Sequence, residues 1–216
     1  MKNIVRTVLV TSAGLTLAVI PLRADVITFD QVPPPGNAIQ SGTVTTQGFN
    51  FTSPSFHIID QPAACAGGCV DDGSQYLAVA GSGLDSPVVV TNAAGQTFSV
   101  FALDGAKLFL TPGGLNGDPN ADTLDLLGTL SSGGTVSASF TLPAEGSFDT
   151  FNLTGFTGLT SLTISGTGSG DPDASWAVDN MVVSSAPEPA TLFLVFGVIL
   201  PVLAASVRHK RRHPAL

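Results

Sequence analysis

Between residues 25 and 184 the chain has no run of ten or more residues with helical apolar spacing; period-two alternation recurs in its place. The clearest case is TVSASFTL, residues 135 to 142, where Val136, Ala138, Phe140 and Leu142 point one way and Thr135, Ser137, Ser139 and Thr141 the other. That is a strand with one buried and one wet face. Shorter segments read alike: VITF (26 to 29), FNFT (49 to 52), SFHII (55 to 59), QYLAVA (75 to 80), QTFSVFAL (96 to 103), AKLFLT (106 to 111), FDTFNL (148 to 153), LTSLTIS (159 to 165) and SWAVDNMVV (175 to 183). Between them PPPGN, TPGGLNGDPN and GTGSGDPD supply turn conformations. Strands in this number, without crossover helices, predict an all-β fold: an antiparallel β-sandwich, jelly-roll-like, with the Phe residues mainly in its core. No repeat of fixed period is present, which disfavours a propeller or solenoid.

Charge narrows the partners. Between Asp25 and Ser184 there are fifteen acids, all Asp except Glu145, against one base, Lys107, so this body carries −14. Nucleic acid needs a Lys/Arg footprint that such a body lacks, and docking on anionic headgroups is disfavoured for the same reason. Solubility outside a cell, cation binding and neutral polysaccharide remain open. The two cysteines, Cys65 and Cys69 in CAGGC, flank a flexible spacer and are read as a small-loop disulfide formed after export. A metal site would need two further ligands, and His57 is the only histidine of the body.

Three groups of residues are candidates for chemistry. In NGDPNADTLD, oxygen-bearing side chains alternate at Asn116, Asp118, Asn120 and Asp122, the spacing of a calcium loop. Against this, Ala121 stands where an EF-hand has Gly and Leu127 where it has a bidentate Glu, and exposed turns use the same residue types. Asp171 and Asp173, with Asp179 downstream, form a weaker candidate of the same kind. Trp176 and Tyr76 are core residues or, if a sheet face presents them, rings on which a sugar stacks. For SWAVDNMVV, strict alternation would place Trp176, Val178, Asn180 and Val182 on one face. Catalysis finds little: the Asp-rich turns offer no distinctive pair of carboxylates for glycoside hydrolysis, and His57 has no nucleophile-elbow motif nearby. Catalytic residues are therefore not assigned.

The two ends read as export signals. Residues 1–24 have a basic start at Lys2 and Arg6, an apolar run from about Val8 to Ile20 and a small residue, Ala24, at the cleavage position: a signal peptide, helical in its apolar part. Thr191 to Val207 is an uncharged, mainly apolar stretch of seventeen residues. As a helix it is about 26 Å long, a short transmembrane span against a bilayer core of about 30 Å. The RHKRR cluster at 208–212 places the tail in the cytoplasm and the acidic body outside, with residues 213–216 trailing.

The order Pro187-Glu188-Pro189, short apolar span, basic cluster at the C-terminal end resembles the PEP-CTERM sorting signal of exopolysaccharide-producing Gram-negative bacteria. The resemblance covers about residues 185 to 212. It implies that, after export across the inner membrane, the protein stays anchored by its C-terminus until an exosortase, a membrane protease-transferase, recognises Pro187, Glu188 and Pro189 and releases or transfers the body toward the cell surface or extracellular matrix. The body, 25–184, also resembles loosely the Ser/Thr/Gly-rich β domains joined to such tails, a resemblance that names no activity. Taken with the rest of the sequence, the expectation is a structural or polysaccharide-associated, non-catalytic role, with no cofactor other than calcium in the acidic loop. A secreted polysaccharide hydrolase and a calcium-dependent carbohydrate-binding module are the alternatives.

Overall fold

The computed structural model describes residues 24–32, 40–59, 68–80, 87–112, 114, 118–169 and 174–185, without the side chains of Gln40 and His57. The signal peptide up to Arg23, the Pro187–Pro189 motif, the apolar span, the basic cluster, Cys65, Asn116, Asp171 and Asp173 lie outside the described residues.

The described residues contain eleven strands and no helix: β1 Asp25–Ile27, β2 Gln40–Thr46, β3 Phe49–Ile59, β4 Tyr76–Val79, β5 Val88–Asn92, β6 Phe98–Lys107, β7 Thr123–Leu130, β8 Thr135–Thr141, β9 Asp149–Asn152, β10 Leu159–Thr167 and β11 Trp176–Ser185. All strand pairings are antiparallel and link into the order β8-β7-β10-β5-β3-β4-β11-β6-β9, with β2 on β3 and β1 on β11. The all-β, antiparallel expectation is therefore met.

One strand turns this sheet over on itself. The first part of β3, Phe49–Thr52, pairs with β5, and its end, from His57 to Ile59, pairs with β4. Between them lies Ser53-Pro54-Ser55, opposite a register shift in β2. Pro54 has no N–H to give a ladder, and the Ser53 hydroxyl donates to the Ser55 carbonyl at 3.1 Å inside the kink. On one side of the kink lie β2, β5, β10, β7 and β8; on the other lie β4, β11, β6, β9 and β1.

The two halves share one core. Phe29 meets Phe51 edge-on at 5.1 Å, and Phe49 meets Phe98 at 5.4 Å. Val90, Leu124, Leu162 and Ile164 of the first half are buried with Leu77, Leu103, Trp176 and Val178 of the second. At the open ends of the path, Phe140 of β8 stacks on Phe151 of β9, centroids 4.8 Å apart. Seven of the aromatic rings read as core, including Phe29, Phe56 and Phe156, are buried, whereas Phe101 is 39% exposed.

One irregularity overrules simple alternation. In β11 the pairing with β6 slips between Asp179 and Val182, and Asn180 takes a positive φ of 47°. This bulge inserts a residue and flips the phase. Met181 and Val183, rather than Asn180 and Val182, accordingly join Trp176 and Val178 in the core.

Candidate functional site

The structure separates the residues that the sequence grouped. Trp176 is 1% exposed and Tyr76 is fully buried, so neither ring is available to a sugar. Trp176 lies between the half-sheets, against Gly166 of β10, where an added Cβ would stand 2.2 Å from the indole Cδ1. Tyr76 lies on the opposite side of the second half-sheet, beneath the segment that carries Cys69 and Val70. Its hydroxyl donates to the Val70 carbonyl at 2.5 Å and its ring meets Phe148 edge-on. The sugar-stacking expectation is overturned because β4 and β11 are covered on both faces, not one.

The calcium-loop expectation is corrected for Asn120 and Asp122. Asn120 is turned inward, and its Oδ1 accepts the Phe109 N–H at 2.8 Å. Its Nδ2 donates to the carbonyls of Phe109 and Thr111. The side chain thus stands in for a strand neighbour and ties the end of β6 to the start of β7. Asp122 points elsewhere: it accepts the Ser169 N–H at 3.0 Å and lies 3.9 Å from Lys107 Nζ. Asp118, partly buried, sits in an isolated bridge two residues before Asn120. Among the described residues no three of the types His, Cys, Asp and Glu come together as a metal group. Cys69 is disulfide-bonded and pairs through its backbone with Phe109; Cys65 lies outside the described residues.

The outer face of the first half-sheet is a hydroxyl lattice. Registers align Thr43, Thr52, Val89, Thr163, Leu127 and Ser137 in one row across six strands. Ser165, Asp125 and Ser139 form the next row, and Thr167, Thr123 and Thr141 the one beyond. On the other side run Thr45, Asn50 and Thr91, and Ser161, Thr129 and Thr135. All of these are exposed or partly exposed, at a spacing of about 4.8 Å between strands and roughly 7 Å along them. Asp125 is the one charged residue among them. On the β2–β3 side the hydroxyls satisfy one another: Thr43 Oγ1 lies 2.8 Å from Thr52 Oγ1, and Thr45 donates to Asn50 Oδ1 at 2.7 Å. Asp125 accepts from Thr167 at 2.7 Å. Among the described residues, Thr163, Ser137 and Ser139 make no side-chain hydrogen bond, which leaves their donors and acceptors to solvent or ligand.

A second constellation, Asp72, Ser74 and Asp179, lies at the outer face of the second half-sheet. Asp179 is 1% exposed; its Oδ2 is 3.0 Å from Ser74 Oγ and its Oδ1 has no partner. Burial pushes its carboxyl up to about 7, against the backbone amide of Asn180 and the Ser74 hydroxyl, with the Asp72 charge adding to the rise. A carboxyl with a raised pKa beside a second carboxylate is half of what glycoside hydrolysis requires. Here, however, the Ser74 hydroxyl stands between the two carboxyls and Asp179 is buried, whereas that chemistry needs both groups open to substrate. The sequence carried one sign of this site: an Asp inside the apolar strand SWAVDNMVV.

No protein-family model and no curated protein matches the chain. Among solved structures it is similar to a variant of a family 29 carbohydrate-binding module in complex with mannohexaose, at 9% identity over 77% of this chain and 93% of that one, TM-score 0.43. It is also similar to the C-terminal family 22 carbohydrate-binding module of Clostridium thermocellum Xyn10B, at 10% identity over 71% and 97%, TM-score 0.35. A third similarity is to the enzymatically active domain of tailspike protein 4 of bacteriophage CBA120, at 11% identity over 74% of this chain and 20% of that one, TM-score 0.35.

Proposed function

We propose that the protein is exported across the inner membrane of a Gram-negative bacterium and held there by a transmembrane helix over about 191–207. An exosortase-type enzyme acting at Pro187-Glu188-Pro189 then leaves the body at the cell surface or in the extracellular matrix, as a jelly-roll-like module that associates with neutral polysaccharide without turning it over. The observation that carries the polysaccharide reading is the hydroxyl lattice. On a body of charge −14, a broad face with Asp125 as its one charged residue suits a neutral, polyhydroxylated partner, which exchanges hydrogen bonds with Ser and Thr and loses no ion hydration on docking. The sorting reading rests on the tail's order of elements. It is supported by the end of β11 at Ser185: a cut at 187–189 removes no strand of the described sheet.

Two measurements test the two parts separately. Intact mass of the surface form from exosortase-bearing cells is expected to show loss of the residues beyond about Pro189; Leu216 still attached would refute sorting. A screen of neutral glycans is expected to show retention of the protein without product release. Released product would reverse the non-catalytic assignment, and absence of retention would remove the polysaccharide assignment while leaving sorting untouched.

A further inference from the structure

The geometry points to a proton latch: one shared proton, held between the carboxyl groups of Asp179 and Asp72 across the Ser74 hydroxyl, fastens the turn 71–75 to β11. Ser74 Oγ lies 2.8 Å from Asp72 Oδ1 and 3.0 Å from Asp179 Oδ2. A hydroxyl has one proton to donate and an ionised carboxylate has none, so the chain of three oxygens closes only with a second proton. The Ser74 N–H also donates to Asp72 Oδ1, at 2.9 Å, which holds the negative charge on Asp72. Asp179, buried and with Oδ1 unpartnered, takes the proton.

Among the described residues, no positive charge lies beside this pair. The turn contributes Asp71 and Asp72, and Asp30 accepts the Gln75 N–H from the segment after β1. From β6 comes Asp104, in register with Asp179 and bonded by Thr150 and Asn180. β4 brings the neutral Tyr76. Lys107, the one Lys or Arg among the described residues, lies 3.3 Å from Glu145. An uncompensated buried carboxylate neutralises by binding a proton.

The sign of the pH dependence follows. The folded chain holds this proton more tightly than a free Asp, whose midpoint is about 4. The stability it confers is complete below that value, declines as pH rises and is lost once pH has passed through about 7. The two carboxylates then repel, and the turn leaves β11.

The experiment uses the full chain in detergent micelles, with carbon-13 NMR of the Asp carboxyls and hydrogen exchange across pH 5 to 9. One carboxyl is expected to titrate near neutrality, and protection of the Ser74 amide to fall by roughly tenfold for each pH unit from pH 5 up to that midpoint and to level off above it. Asp179→Asn, whose amide can still donate, is expected to abolish both effects; Asp72→Asn is expected to move the midpoint down by removing the neighbouring charge. The latch is refuted if every Asp titrates below pH 5, or if Asp179→Asn leaves the pH profile of Ser74 unchanged. A calcium-dependent protection at pH 8 that Asp179→Asn removes would also overturn it, in favour of a cation between the carboxylates.

Discussion

The two outer faces of this one sheet have opposite fates. On the first half, outward positions of β7, β8 and β10 are nearly all Ser or Thr, and the face is left to solvent. On the second half, outward positions include Tyr76, Ala78, Ala106 and Ala177, and the segment around Cys69 and Val70 lies over them. The Val70 N–H donates to the Leu108 carbonyl, and the Leu110 N–H to the Gly68 carbonyl. The three alanines let that segment approach closely, and its apolar members bury with them. What a strand places on its outward side thus decides whether the face is roofed or bare. Asp179 is the polar exception under the roof, and its carboxyl carries the corresponding cost in a raised pKa.

Substitutions that assume the wrong side should break this contrast most visibly at the centre. Trp176→Ala is expected to cost about 3–5 kcal/mol in denaturant unfolding, since the indole fills the space between the halves. A loss no larger than that of an exposed threonine would place Trp176 outside the core. Gly166→Ala presses on the same ring and on the Ala174 carbonyl, 2.7 Å from the added Cβ. Overpacking of this kind is worth about 1–3 kcal/mol, and Gly166→Ala combined with Trp176→Phe should recover part of it. Asn120→Ala leaves the Phe109 N–H and the carbonyls of Phe109 and Thr111 without the side chain's partners. A loss of about 1–3 kcal/mol is expected, indifferent to added calcium; a calcium-dependent loss would return Asn120 to a ligand role.

The bare half was legible in the sequence and the roofed half was not. TVSASFTL alternates, and β8 is exposed on Thr135, Ser137, Ser139 and Thr141 as that alternation dictates. QYLAVA and SWAVDNMVV are apolar on successive residues, the mark of burial on both faces. Read as half-wet strands, they made Tyr76 and Trp176 look available. Pro54 marks the kink at Ser53–Ser55 in the sequence, but the phase change at the Asn180 bulge follows from the pairing of β11 with β6, which local alternation does not show. NGDPNADTLD misled for a related reason. Asn120 has the composition of a ligand, but its amide was needed by backbone groups of a segment eleven residues away. The row from Thr43 to Ser137 across six strands, four of its six members hydroxyl-bearing, could not be read either, because registers between β3, β5 and β10 are long-range facts. Asp72 and Asp179 share a site for the same kind of reason: the fold joins residues 107 positions apart in the chain.

The smallest effects on stability are expected where the largest effects on binding are. Thr163→Lys and Ser139→Lys change a partly exposed and an exposed position whose hydroxyls make no side-chain hydrogen bond among the described residues, so each should alter stability by no more than about 0.5 kcal/mol. Both place a charge and a long, flexible chain on the β10–β7–β8 side of the lattice, where a neutral glycan would have to desolvate an ammonium group. Retention on a neutral glycan is therefore expected to be lost in the pair while the melting midpoint stays put. Thr43→Lys sharpens the test, because Thr43 is at the rim and its hydroxyl is already engaged by Thr52; it should retain most of the binding. Equal loss in all three would point to charge at long range, which 0.5 M salt should then reverse. Selective loss at Thr163 and Ser139 that salt does not reverse would locate contact on the β10–β7–β8 side, where the hydroxyls are not spent on one another.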